Sequence, residues 1–155
     1  MNDHTPRVSI GLPVHNGERY LEETLESVLK QTFPDFELII YDNASTDRTP
    51  EICRAFLEQD NRIRYFNSGR NEGASANFNR AFRASRGEYF KWIAHDDLIA
   101  PSYLEKCVEV LDRDDSVALC CSRVVLINEA GDILGDFDLS LERIASPGPR
   151  IVSET

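Results

Sequence analysis

Glu88-Tyr-Phe-Lys-Trp-Ile-Ala-His-Asp-Asp97 is a β-rich, largely apolar run that stops at a histidine and two adjacent carboxylates. Apolar and aromatic residues at this density read as a strand that ends at Ala94. Neighbouring carboxylates repel, so Asp96 and Asp97 need something to hold them together. A divalent cation, Mg2+ or Mn2+, does so through hard oxygen ligands. A helix cap ahead of Pro101, or pairing with nearby Arg or Lys, is the alternative reading.

The same alternation repeats upstream. Val8-Ser-Ile-Gly-Leu12 reads as a buried strand, and Leu21, Leu25 and Val28 mark one face of a helix within 17–30. Phe36–Tyr41 is a second strand, and Thr49-Pro50 opens a helix carrying Ile52, Ala55 and Phe56. Arg62–Phe66 is a third strand. Ala74, Phe78, Ala81 and Phe82 share a helical face closed by Gly87. After Pro101 a further helix turns Leu104, Cys107, Val108 and Leu111 inward. Val117–Ile127 reads as one long strand with a short hairpin partner at Asp132–Gly135.

Strand–helix alternation of this regularity predicts an α/β fold: a Rossmann-like, open, mostly parallel sheet flanked by helices. The expected layout is a tail over 1–6, one domain over 7–135 and an irregular segment over 136–155. Ligands in such sheets bind outside the carboxyl ends of the strands, where strand order reverses. Three polar clusters fall at strand ends: Pro13-Val-His-Asn16, Asp42-Asn-Ala-Ser45 and His95-Asp-Asp97.

Each cluster has a plain structural reading beside the functional one. Asn16 and Glu18 suit the start of a helix as well as a ligand. Asp42 and Asn43 form an ordinary Asx turn, or Asp42 points a carboxylate into the crevice to accept the imide N–H of uracil or thymine, or an amine edge of another base. Gly73 and Asn79, with Asn71 and Asn77, open a helix whose N-terminus suits a phosphate or ribose. Arg70 and Arg80 are phosphate partners or solvated surface charge. His95 is a ligand contact or a neighbour of the metal.

The 155 residues, 41% hydrophobic and 28% charged, suffice for one domain with a substantial core. A formal charge of −10 argues against nucleic acid or an anionic membrane surface as main partner. No apolar stretch approaches the ~20 residues that span a bilayer, and the N-terminus lacks signal-peptide character. Cys53, Cys107, Cys120 and Cys121 lie in apolar segments without metal-type spacing, as reduced thiols of a cytoplasmic protein do. Neither a P-loop, nor a Gly-x-Gly-x-x-Gly after the first strand, nor a Gly-x-Ser-x-Gly elbow occurs.

Four ordered blocks resemble the family 2 glycosyltransferases of GT-A fold. They are Val8–Glu18 with Tyr20-Leu21; Gln31-Thr-Phe33 with Glu37–Asp47; Asn71–Asn79; and Gly87–Leu98 with Pro101. The resemblance implies a domain for a nucleotide-diphospho-sugar, UDP-, dTDP- or GDP-linked. Pro13, Val14, His15 and Asp42 would hold base and ribose. Asp96 would match the last carboxylate of the family's Asp-x-Asp and coordinate Mg2+ or Mn2+ on the diphosphate. Ala94 stands where the first Asp of that motif belongs, and Phe78 stands where many relatives carry Arg.

The family's general base is expected beyond Thr155, so the chain reads as the donor-binding half of a larger inverting enzyme. Its acceptor would be a carbohydrate, a lipid carrier or a protein. Its place would be the cytoplasm or the inner face of the membrane. A nucleotidyltransferase of similar architecture and a non-catalytic nucleotide-sugar-binding domain are the rival readings.

Overall fold

The structure is a computed structural model that describes residues 4–129, 131–137 and 150–154. The chain forms two compact units, Met1–Pro101 and Ser102–Thr155.

The first unit is built on four parallel strands: β1 (Val8–Val14), β2 (Phe36–Asp42), β3 (Ile63–Asn67) and β4 (Tyr89–Trp92). Their order is β3-β2-β1-β4, and every pairing is parallel. Helices α1 (Leu21–Leu29), α2 (Thr49–Gln59) and α3 (Ala74–Arg83) form the connections. The expected open parallel sheet with flanking helices is therefore present. All seven residues of β1 are buried, which requires cover on both faces and explains its lack of polar alternation. Ile10, Leu12, Leu38, Ile39 and Ile40 of the sheet and Leu21, Leu25 and Val28 of α1 are all closed to solvent.

Helix α3 corrects the sequence pattern. The periodicity puts Phe78 and Phe82 inward with Ala81, yet they are 40% and 48% exposed, while Ala81 and Asn77 are buried. The cause is the close approach of α3 to β1. A Cβ on Gly11 would lie 3.2 Å from that of Ala81 and 2.7 Å from the Phe90 ring, so only small side chains fit between helix and strand. The displaced rings gather beside β4, where Phe82 meets Phe90 edge-on and Trp92 donates its indole N–H to the Phe78 carbonyl.

The N-terminal end of the sheet is tied by charge. Buried Glu37 accepts from Ser9 Oγ at 2.7 Å and from the guanidinium groups of Arg64 and Arg86, each at 2.9 Å.

In the second unit, α4 (Tyr103–Arg113) packs on β5 (Val117–Ser122), burying Leu104, Val108 and Val117. The expected long strand breaks at Arg123: β6 (Val124–Ile127) pairs antiparallel with β7 (Ile133–Phe137), the anticipated hairpin. Instead of irregular chain, Arg150–Glu154 forms β8, parallel to β5.

Candidate functional site

Strand order runs outward from β1 through β2 to β3, then reverses to place β4 on the other side of β1. The crevice such a reversal opens lies between the loops following β1 and β4. Those loops carry Pro13-Val-His-Asn16 and His95-Asp-Asp97.

Gly17 brings them together. A Cβ there would stand 2.7 Å from both His95 Cδ2 and Val14 Cγ2, so the His95 ring uses the space a side chain would fill. The His95 carbonyl accepts from the buried Thr24 hydroxyl of α1 at 2.8 Å. Gln31 clamps the same segment downstream, donating to the Ala100 carbonyl at 2.7 Å. Asp96 and Asp97 follow, both exposed, in a turn closed by Asp97 N–H on the Ala94 carbonyl. Neither carboxylate has an ion-pair or hydrogen-bond partner among the described residues, so the basic-partner reading finds no support.

A chain of side-chain hydrogen bonds joins the loops after β1, β2 and β3. Asn43 Nδ2 donates to Asn71 Oδ1 at 2.9 Å, and Asn71 Oδ1 also accepts the Gly73 N–H. Those contacts fix the Asn71 amide, whose Nδ2 then points to His15 Nε2 at 3.1 Å. Nε2 is thus the acceptor, and the ring proton sits on Nδ1. Asn43 is nearly buried and also accepts the Glu72 N–H, so it stitches loops rather than facing solvent.

Asn16 and Glu18 brace the same region. Asn16 adopts φ 52°, accepts the Thr46 N–H at 2.9 Å and donates its own N–H to Ser45 Oγ. Glu18 accepts the Arg48 N–H, while its own N–H meets Asp47 Oδ2, both at 3.0 Å. Burial works against the Asp47 carboxyl, but hydrogen bonds from Thr49 and Glu18 hold its pKa below the usual value. At the start of α2 the Arg48 and Thr49 N–H groups are taken by the Glu18 and Asp47 carboxylates.

Helix α3 differs. Its N-cap Gly73, at φ 86°, makes no side-chain cap, and Gly73 to Ser75 are exposed. Asn79 is also exposed. Asn77, which the sequence did not single out over Asn79, is buried, and its Nδ2 reaches the carbonyls of Tyr41 at 2.8 Å and Val14 at 3.3 Å. Its position between Ala74 and Ala81 on the small-residue face was the available signal. Arg80 is held by Glu72 and lies over the Tyr41 ring; Arg70 shares Glu72.

Asp42 is the correction within the site. It does not point into an open crevice: the residue is 0% exposed. Its Oδ1 accepts the Ser45 N–H at 2.8 Å, and its Oδ2 accepts Tyr65 Oη at 2.7 Å and Asn67 Nδ2 at 2.8 Å. Burial and the Asp42 charge push the Tyr65 hydroxyl up to about 12, although Asn67 partly offsets this. Tyr65 and Asn67, one strand period apart on β3, went unread because no cluster flagged them.

The model of glycosyl transferase family 2 matches residues 9–136. The chain belongs to that family. Among curated relatives, the glycosyltransferase GlyG of Streptococcus pneumoniae is 34% identical over 109 residues, covering 70% of this chain and 36% of GlyG. An uncharacterized glycosyltransferase of Methanocaldococcus jannaschii, MJ1057, is 34% identical over 134 residues, 85% of this chain and 46% of the relative. Among solved structures, Staphylococcus aureus TarS 1-349 in complex with UDP superposes with TM-score 0.71 and 26% identity, over 76% of this chain and 35% of that one. Mannosyltransferase PcManGT from Pyrobaculum calidifontis, in complex with GDP-Man and Mn2+, gives TM-score 0.70 and 28% identity, over 80% and 37%. The chain thus spans less than half the length of each of these relatives. The family assignment and the parallel sheet flanked by helices agree with the GT-A fold that the four sequence blocks implied. No described helix is long and apolar enough to cross a membrane.

Proposed function

We propose that this chain is the donor-binding part of an inverting glycosyltransferase that takes a UDP-, dTDP- or GDP-sugar with Mg2+ or Mn2+. The observation that carries the reading is the exposed, unpartnered pair Asp96–Asp97 beside the strand-order reversal. The donor chemistry fits a hard cation: two carboxylates with free oxygen lone pairs, on a loop fixed by Thr24 and Gln31. No cluster of three or more His, Cys, Asp or Glu that could hold a metal occurs among the described residues. Two carboxylates completed by ligand phosphates is how Mg2+ is usually held.

When bound, such a cation would neutralise charge developing on the nucleoside diphosphate leaving group. The chain's own residues bind and orient. Pro13 and Val14, buried at the β1 end, would shape the floor for base and ribose, and exposed His15, its proton fixed on Nδ1 by Asn71, would meet them. Asn16, Glu18 and Asn43 hold the loops that shape the pocket. Gly73 and Asn79 offer the open start of α3 to ribose or phosphate. His95 sets the approach to Asp96 through its seat on Gly17. The acceptor would be a hydroxyl of a growing polysaccharide, another carbohydrate, a lipid carrier or a protein, in the cytoplasm or at the inner membrane face. No carboxylate of this chain is assigned as general base. TarS with UDP and PcManGT with GDP-Man and Mn2+ support donor and metal by similarity.

A thermal-shift panel of UDP, dTDP and GDP with and without Mn2+ tests this. Nucleotide at about 100 times its Kd stabilises the folded state by about 2.7 kcal/mol. We expect a metal-dependent rise with at least one nucleotide, lost in Asp96→Asn without change in the ligand-free midpoint. Metal-independent binding, or full retention in Asp96→Asn, would sink the assignment.

A further inference from the structure

The loops after β1 and β3 meet at one ring nitrogen. His15 Nε2 lies 3.1 Å from Asn71 Nδ2 and 3.5 Å from Asn16 Nδ2. Both amides are locked in orientation by what their oxygens accept. Asn71 Oδ1 takes Asn43 Nδ2 and the Gly73 N–H, each at 2.9 Å, and Asn16 Oδ1 takes the Thr46 N–H at 2.9 Å. Asn43 cannot turn to suit a reversed Asn71, because its own oxygen accepts the Glu72 N–H at 2.9 Å and the residue is only 3% exposed. Two fixed NH2 groups therefore converge on a nitrogen that can meet them only with a lone pair. An imidazolium carries N–H on both nitrogens, so a charged ring sets donor against donor and has to turn away. His15 is exposed, so that exit is open.

No carboxylate lies within ion-pair distance of the ring among the described residues. On the surrounding loops Glu18 and Asp47 accept main-chain N–H groups, Asp42 is filled by three donors, and Glu72 is paired with Arg70 and Arg80. Arg19 and Arg48 are the other charges there, and the loop after β4 adds His95, Asp96 and Asp97. The field of all these groups is common to wild type and to the variants below.

We infer that Asn71 is a positioning residue that makes nucleotide-sugar binding depend on a neutral His15, by latching the loop after β1 to the loop after β3 at Nε2. The binding half of this inference rests on the donor-binding reading above; the latch itself does not. Its sign follows from the geometry. The bond exists while the ring is uncharged and is lost as pH falls through the range where histidines titrate, about pH 5–8. Simple charge attraction between an imidazolium and a diphosphate would give the opposite trend.

Nitrogen-detected NMR of the imidazole rings in the whole chain reads the latch, with His15→Gln assigning the signal. The wild-type ring should carry its proton on Nδ1, the minor form of a free histidine. Asn71→Asp keeps an oxygen for Asn43 and Gly73 but turns its second oxygen to His15. There the proton should move to Nε2, and the ring should charge at a pH about 1–3 units higher than in wild type. Titration calorimetry with UDP and GDP in Mg2+ at about pH 8 and about pH 6 reads the consequence. A glutamine carbonyl can accept from Asn71 at either pH, so His15→Gln reports the nucleotide's own phosphate titration. Against that background wild type should lose about fivefold more affinity on acidification, the worth of one hydrogen bond, and Asn71→Asp should lose no more than His15→Gln. A wild-type ring protonated on Nε2, a charging pH unmoved in Asn71→Asp, or equal pH dependence in wild type and His15→Gln would each overturn the inference alone. Absence of nucleotide binding at both pH values would overturn the donor-binding reading, and this inference with it.

Discussion

Glu37→Gln isolates the charge that ties the N-terminal end of the sheet. Glu37 Oε1 accepts from Ser9 Oγ at 2.7 Å and Arg86 N–H at 2.9 Å; Oε2 accepts from Arg64 Nη1 and Arg86 Nη2 at 2.9 Å. Glutamine keeps the shape but sets an NH2 where one oxygen was, and donors converge on both positions. Turned toward Ser9, the NH2 can use Ser9 Oγ as acceptor but leaves the Arg86 N–H without its closest one. Such a loss costs about 1–3 kcal/mol. The Arg86 side chain is 56% exposed, so its lost attraction counts for little, whereas Arg64 at 31% counts for more. The expected loss is about 3 kcal/mol at neutral pH, the lower part of the range for breaking a buried pair.

The pH dependence of that difference has a definite sign. Burial raises the Glu37 pKa, but hydrogen bonds from Ser9, Arg64 and Arg86 outweigh it and hold the group below its ordinary 4.5. The stabilisation is therefore complete above the unfolded-state value and lost as pH falls through the folded one. Urea unfolding at about pH 7 and then at successive steps below the ordinary 4.5 measures it, with 3 kcal/mol moving the midpoint by about 1–2 M. A difference under about 1 kcal/mol at neutral pH, or one that persists undiminished in acid, would refute the reasoning.

Gly17→Ala should cost about 1–2 kcal/mol in thermal unfolding, since its Cβ would sit 2.7 Å from His95 Cδ2 and Val14 Cγ2. It should also weaken metal-dependent nucleotide binding; unchanged affinity would show that the His95 seat does not govern Asp96. Ala44 holds φ 58°, a left-handed conformation that costs an L-residue roughly 1–2 kcal/mol. Ala44→Gly should raise stability by about 1 kcal/mol and Ala44→Val lower it, and the reverse order in urea melts would contradict the strain.

The sheet was legible because its signal is local. Strands β1 and β2 are apolar runs closed by polar residues, and α1 repeats Leu21, Leu25 and Val28, all buried. Non-local packing decided what was not legible. The face of α3 turned because Gly11 lets the helix approach β1, a fact held by another strand. Val117–Ile127 reads as one strand, but the break at Arg123 comes from partners that lie further along, β7 and β8. At the carboxyl end of the sheet the polar clusters fall in the loops after the strands, while the atoms that join those loops belong to Gly17, Asn71, Asn77 and Thr24. A glycine carries no chemical signal of the ring that will use its space. Asp42 shows the limit most clearly: its position after β2 was readable, but its cover of Tyr65 and Asn67 depends on register with β3.

The two ends of the sheet are opposites in electrostatic satisfaction, and this separates stability from function. At the amino end one buried carboxylate is over-supplied with donors, so its charge is spent on holding the α3–β4 connection. At the carboxyl end Asp96 and Asp97 have no donor among the described residues, although Glu18 and Asp47 nearby are engaged. Two adjacent like charges in a fixed turn keep their repulsion, of order 1 kcal/mol at contact in water, unrelieved by any partner. Nothing in the packing of the sheet requires that repulsion, because the loop is already fixed by Thr24, Gln31 and the Gly17 seat. A site that is rigid through its main chain while its charges stay open fits the multivalent cation and anionic ligand proposed above. By the same argument, neutralising Asp97 should stabilise the ligand-free protein slightly while weakening metal-dependent binding, a trade that no purely structural role for the pair would produce.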